Sequence, residues 1–338
     1  MRVSSTRLLG VVCAFLSCSL PAHAQDKKSE INDTSPLNRT DVSPGTAVKS
    51  GTELRILCVG DSITAGRRSG GSVNGGLGDG YRLQLRDDLS EDEVVFAGTD
   101  VAGNMTDGYY AAWPGKTIKY ISDHVGPSLA QRPNIVLLHA GTNDMDDRSF
   151  LSTEGNDPKG AAKRLGSLID QIIEACPDAV ILVAMIIGTC DSHKVSATPK
   201  YQALIPGIVQ ERRSNGSHVL AVDFTTFPKS LLQDCIHPSV SGYAELGHYW
   251  YDFMTQIPSS WITDPVGADP TREESAVVST SSDSDSDSES SSDSKNDSDS
   301  NSGSNNESGS DLPLVQAVTS SPLFLLLLLV PIIISLLL

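Results

Sequence analysis

Five near-continuous apolar runs with helical patterns between them constrain this chain more than any other feature. They are "LRILCVG" (54–60), "EVVFAG" (93–98), "NIVLLHAG" (134–141), "AVILVAMII" (179–187) and "HVLAVDF" (218–224). A strand covered on one face alternates apolar and polar residues, whereas a strand covered on both faces reads apolar throughout, as these do. Between them lie "GYRLQLRDDLS", "KTIKYISDHVGPSLA", "DPKGAAKRLGSLIDQIIEAC" and the region from Pro199 to Arg213. The third is the clearest helix, with Ala161, Leu165, Leu168, Ile169, Ile172 and Ile173 at helical spacing. A last helix, "SVSGYAELGHYWYDFM", follows Pro238. Strands alternating with helices imply an α/β fold with a parallel sheet and right-handed crossovers. Ligands of such sheets bind beyond the carboxyl ends of the strands, so the residues just after each run belong together.

Three of those ends carry polar or reactive groups. After the first run come Gly60, Asp61 and Ser62, where the glycine permits a tight exit and the hydroxyl stands at the opening of the next turn. After the third comes "HAGTNDM", in which Asn143 has a neutral amide with two donor hydrogens, suited to a developing oxyanion. After the fifth comes "DCIHPSVSGY". Pro238 disfavours helix at the residue before it, so His237 belongs in an extended link, with Asp234 placed to hold one ring nitrogen. Each signal alone is ordinary turn or cap chemistry. Together they supply a nucleophile, a neutral donor and an oriented base on one rim, the parts that acyl transfer requires.

The blocks "GDSITAG" (60–66), "WPGKTI" (113–118), "GTND" (141–144) and "DCIH" (234–237), in this order, resemble those of the SGNH hydrolases, the GDSL-type esterase superfamily. The resemblance implies a flavodoxin-like three-layer sandwich with a five-stranded parallel sheet. It implies Ser62 as nucleophile and Asp234 and His237 as the rest of a triad. It also implies an oxyanion hole from the N–H groups of Ser62 and Gly115 and the amide of Asn143. Family three carbohydrate esterases look nearest, through the phrase "AAWPGKTI". Where that family often carries a His-Glu pair, Tyr110 and Ala111 stand here. No G-x-S-x-G elbow is present, which argues against an α/β-hydrolase route to the same chemistry.

The ends read differently from the middle. Residues 1–24 have the positive start, apolar stretch and "AHA" site of a secretory signal, and the polar 25–52 reads as a flexible lead-in. The hydrolase domain spans 53–261, a Ser/Asp-rich stalk 262–312, and a C-terminal attachment signal 313–338. Between Asp264 and Asp311 there are 13 acidic and 2 basic residues, a net of −11 out of −17 for the chain, so the domain is only mildly acidic. No basic patch marks a nucleic-acid partner. Such a stalk buries too little apolar surface to offset chain entropy and should be disordered. Small residues at Ser308, Gly309 and Ser310, a polar spacer and the apolar tail 323–338 match a GPI-attachment signal, with a transmembrane tail as the alternative. Localisation at a cell surface or wall follows from either.

The exported chain keeps Cys58, Cys176, Cys190 and Cys235, which allow three full pairings. Cys58 lies inside an apolar run as a buried thiol. Cys190 and Cys235 both follow strand ends on one face, and form the expected bridge near the site. Sequons at Asn32, Asn38, Asn104, Asn215, Asn296 and Asn306 suit a glycosylated protein. His139 reads as a core residue, and His124, His193, His218 and His248 lack zinc spacing. The glycine-rich "GGSVNGGLGDG" (70–80) reads as a mobile loop, and Tyr109, Tyr110 and Trp113 either stack on a sugar or pack beneath a loop. The expectation is a monomeric, cofactor-free serine esterase acting on short acyl esters of a polysaccharide or on a small ester, held to the membrane by a lipid or a helix. A lipid-ester hydrolase, an acyltransferase and a non-catalytic wall or adhesion scaffold are the alternatives.

Overall fold

A computed structural model describes residues 35–70 and 76–272. The expected secretory signal, most of the expected stalk, the expected C-terminal signal at Ser308, Gly309 and Ser310, and the sequons at Asn32, Asn296 and Asn306 lie outside the described residues.

The five apolar runs are strands, and two short strands join them. In chain order they are β1 (Leu54–Gly60), β2 (Val94–Ala97), β3 (Asp100–Val101), β4 (Tyr109–Ala112), β5 (Ile135–His139), β6 (Val180–Met185) and β7 (Val219–Asp223). The sheet runs β3-β4-β1-β5-β6-β7, and β2 pairs with β1 as well. One edge of β1 is shared: residues 54–57 pair with β2 and residues 59–60 with β4, while the other edge pairs with β5. All of these pairings are parallel except β3 with β4. The expectation of five parallel strands omits β3 and β4, because strands of two and four residues leave no periodicity to detect.

Every residue of β1 is buried, and its side chains alternate between two cores. Leu54, Ile56 and Cys58 face the layer of α1 (Arg82–Asp88) and α7 (Val240–Thr255). Leu57 and Val59 face the layer of α2 (Ile118–His124), α3 (Gly126–Leu129), α4 (Pro158–Ala175), α5 (Thr198–Gln202) and α6 (Ile205–Ser214). This is the three-layer arrangement, and it explains why the strands are apolar throughout. Helix α4 starts where Asp157 accepts from the N–H groups of Lys159 and Gly160, with Pro158 in the first turn.

The packed domain is longer than 53–261 at both ends. Residues 35–52, expected as a flexible lead-in, lie against β7 and α7: Leu37 exchanges backbone bonds with Ala221 and Asp223, and Thr40 and Val42 donate to the buried Asp252. Residues 262–272, expected within the stalk, pack beneath β1. The buried Arg55 reaches Val266 O, Gly267 O and Asp269, and Asn134 donates to Thr263 O. Both attachments run through backbone groups, which a polar sequence does not advertise.

Candidate active site

The turn after β1 sets the first side chain. Its backbone closes through Ala65 N–H to Asp61 O (2.9 Å) and Arg67 N–H to Ser62 O (2.9 Å), while Asp61 Oδ1 accepts from Ile63 N–H (3.0 Å). A Cβ on Gly60 would stand 2.4 Å from His139 O, so only glycine lets β1 and β5 run this close beneath the turn. Ser62 emerges 5% exposed, its hydroxyl aimed into a cleft at the carboxyl end of the sheet.

Opposite it, the loop before α7 is narrow. Gln233 N–H donates to His237 O (2.8 Å), and Leu232 bridges Pro238. Cys235 is disulfide-bonded to Cys190, and its carbonyl accepts from Thr189 Oγ1 (2.7 Å). So held, His237 Nε2 lies 2.8 Å from Ser62 Oγ, and its Nδ1 lies 2.9 Å from Asp234 Oδ2. Asp234 also accepts from the N–H groups of His237 (2.7 Å) and Ile236 (3.2 Å) and from Arg68 Nε. Burial works to raise the Asp234 carboxyl, but the His237 N–H and ring and Arg68 outweigh it and lower it to about 2. The carboxylate is therefore ionised at neutral pH and able to hold Nδ1–H, which leaves Nε2 to accept from the serine.

Two further loops complete the rim. Strand β4 delivers Pro114 and Gly115, and Gly115 has φ +75°, a left-handed turn that glycine adopts without strain. After β5, Asn143 Nδ2 donates to Lys116 O (2.9 Å), which fixes the amide and leaves its second hydrogen free. Among the described residues no acceptor takes the N–H of Ser62 or of Gly115. Ser62, Gly115, Asn143 and His237 line one cleft of about 270 Å³ together with Arg67, Arg148, Leu151, Lys194 and Ile236. The rim thus brings together Ser62, Gly115, Asn143, Asp234 and His237. What sequence reasoning missed are Arg68 on the Asp234 carboxylate and the cations Arg67, Arg148 and Lys194 in the wall. Their contacts come from loops far apart in the chain, and no local spacing signals them.

Other candidates go elsewhere. His139 is wholly buried, accepts from Ile187 N–H at Nε2 (3.1 Å), and burial lowers its pKa. It is a neutral core residue, not a base. Tyr110 lies buried under the Arg82 guanidinium and Tyr109 under that of Arg272, while Trp113 packs by Tyr120 and His124. These rings pack against neighbouring side chains. The free thiols Cys58 and Cys176 are buried, and burial pushes both up to about 11.

The GDSL-like Lipase/Acylhydrolase family matches residues 58–245, more than half of the chain. "Putative endoglucanase X" of Acetivibrio thermocellus is 31% identical over 130 residues, 37% of this chain and 51% of that protein. "Multidomain esterase" of Ruminococcus flavefaciens is 24% identical over 232 residues, 59% of this chain and 28% of that protein. The chain therefore spans about half the length of one curated relative and about a quarter of the other. Among solved structures, a Clostridium thermocellum family 3 carbohydrate esterase shares 27% identity, with a TM-score of 0.48 over 60% of this chain and 98% of that one.

Proposed function

Because the chain belongs to the GDSL-like Lipase/Acylhydrolase family, we propose that it is a serine esterase that removes short acyl groups, acetyl first among them, from polysaccharide at a cell surface. In this reading Ser62 Oγ attacks the ester carbonyl while His237 Nε2 takes its proton. Asp234 holds the tautomer. The N–H groups of Ser62 and Gly115 and the Asn143 amide receive the oxyanion. His237 returns the proton to the departing alcohol, then takes one from water, which attacks the acyl-enzyme and releases the acid.

The observation that carries the reading is the 2.8 Å approach of Ser62 Oγ to His237 Nε2, across 175 positions of sequence. Cleft size supports the short acyl group, since about 270 Å³ lies below the ordinary range of pockets for larger ligands. One curated relative is named an esterase and another an endoglucanase, which fits an ester carried on a polysaccharide. For the location, a disulfide between Cys190 and Cys235 suits an oxidising compartment, and the sequons at Asn38, Asn104 and Asn215 are exposed. Surface attachment rests on the C-terminal signal, with a lipid anchor preferred to a spanning tail.

Purified full-length protein treated with a fluorophosphonate should gain one adduct, on Ser62, and lose turnover of 4-nitrophenyl acetate in parallel. An unlabelled Ser62 with no turnover of any acyl ester would defeat the proposal in favour of a non-catalytic scaffold. Faster turnover of long-chain than of acetyl esters would assign a lipid substrate instead.

A further inference from the structure

The charge of the cleft runs against the charge of the chain. The whole protein carries −17, yet no Asp or Glu lines the cleft that holds Ser62 and His237, whereas Arg67, Arg148 and Lys194 do. Lys194 is committed internally: its Nζ lies buried on Asp146 Oδ2 (2.5 Å) and Thr142 O (3.2 Å). Arg148 grips the same carboxylate through Nε (2.8 Å) and Nη2 (2.6 Å), leaving Nη1 unengaged, with Asp191 at 3.9 Å. One buried carboxylate thus serves two cations, and its pKa is pushed down despite burial by their hydrogen bonds.

Arg67 is different again. Its side chain is exposed and has no hydrogen bond or ion pair among the described residues. Arg39, Arg55, Arg86, Arg132, Arg164 and Arg212 are each ion-paired with a carboxylate. An arginine without a partner among the described residues, in the wall beside Ser62, is a donor open to an anion that arrives with the substrate. Its backbone is fixed, because its own N–H closes the Ser62 turn, and Arg148 is held on the loop that follows Asn143.

Building on the esterase reading, we propose that Arg67 and Arg148 bind a carboxylate carried by the sugar that bears the ester, so that the substrate class is acylated acidic polysaccharide with uronic acid units. The acyl group enters between Ser62 and the oxyanion donors while the uronate faces the two guanidinium groups. Arg148 keeps its orientation through Asp146, and Arg67 supplies the uncompensated charge.

The test uses the full-length enzyme and three small probes: the acetylated methyl glycoside of glucuronic acid, its carboxyl methyl ester, and acetylated methyl glucoside. At neutral pH and low salt, kcat/KM for the free acid should exceed that for its methyl ester by about fivefold or more, as a charged contact in a half-open cleft allows. In Arg67→Gln the ratio should fall at least about threefold. A ratio near one in the wild-type enzyme, or a ratio unchanged in Arg67→Gln, overturns the proposal. Turnover of both neutral probes with no preference for the acid defeats this inference and leaves the esterase reading standing. Failure to turn over any probe or 4-nitrophenyl acetate defeats both.

Discussion

Asp234 gathers more hydrogen bonds than its place three residues before His237 suggests. Its two oxygens receive the N–H groups of Ile236 and His237, the His237 ring and Arg68 Nε, and it is held down at about 2 from an ordinary 3.8. A carboxyl whose folded pKa is depressed stabilises the fold fully above its unfolded value, and that contribution disappears as pH falls through the folded value. The window for Asp234 is therefore about pH 4 down to 2. Above it the Asp234 carboxylate stays charged. A plot of log kcat/KM for 4-nitrophenyl acetate should therefore show no inflection from Asp234 above about pH 4. A carboxyl carbon-13 resonance of Asp234 that titrates above about pH 4 would show that the carboxylate is not held down. Much of this residue's environment escapes the sequence: the His237 contact is local, but Arg68 lies 166 positions away and meets it only in the folded molecule.

At the scale of elements, the four loops of the rim are tied to one another rather than merely adjacent. Asp144, next to Asn143, accepts from Ile118 N–H at the start of α2 (3.0 Å) and from Arg164 on α4 (2.8 Å). Burial raises its carboxyl even so, which marks an expensive ion held in place by those bonds. Because α2 follows directly on the Gly115 turn, this one side chain fixes both that turn and the loop that carries Asn143. Asp144→Ala should cost about 3 kcal/mol of unfolding free energy, since it strands Arg164 without its partner. Urea denaturation measures that loss, and kcat should fall with it even under conditions where the protein stays folded. Full kcat in a folded Asp144→Ala variant would show that the loops hold their geometry without it. Strand β4, which delivers Gly115, was invisible for a related reason. Its four residues pair with β1 at only Ala111 and Ala112, so tertiary contacts and not propensity make it a strand.

For the molecule as a whole, one covalent link matters most. The bond between Cys190 and Cys235 closes a loop across 45 positions and anchors the segment that carries both Asp234 and His237. A crosslink of that span restricts the unfolded chain by about 4 kcal/mol in the loop-entropy account. The double variant Cys190→Ala/Cys235→Ala should melt well below the parent. It should lose esterase activity at temperatures where far-UV circular dichroism still reports a folded sheet, because the loop loosens before the core does. Coincident loss of activity and sheet signal would assign the bond to global stability alone. Chain segments 35–52 and 262–272 brace the same body from outside, on β7 and α7 and beneath β1.

The sequence by itself determined the layer order and the chemistry on offer. Apolar runs and helical spacing are local patterns that report which faces must be buried, and "GDS", "GTND" and "DCIH" name the groups at the strand ends. Only the tertiary structure decided which of those groups meet, and at what distance. Ser62 and His237 approach to 2.8 Å because a disulfide, a narrow loop and a glycine-tight pair of strands converge there. It alone decided, too, that Arg67 would have no counter-charge among the described residues of an acidic protein. Charge compensation depends on distances between loops, and distances are what a linear pattern does not contain.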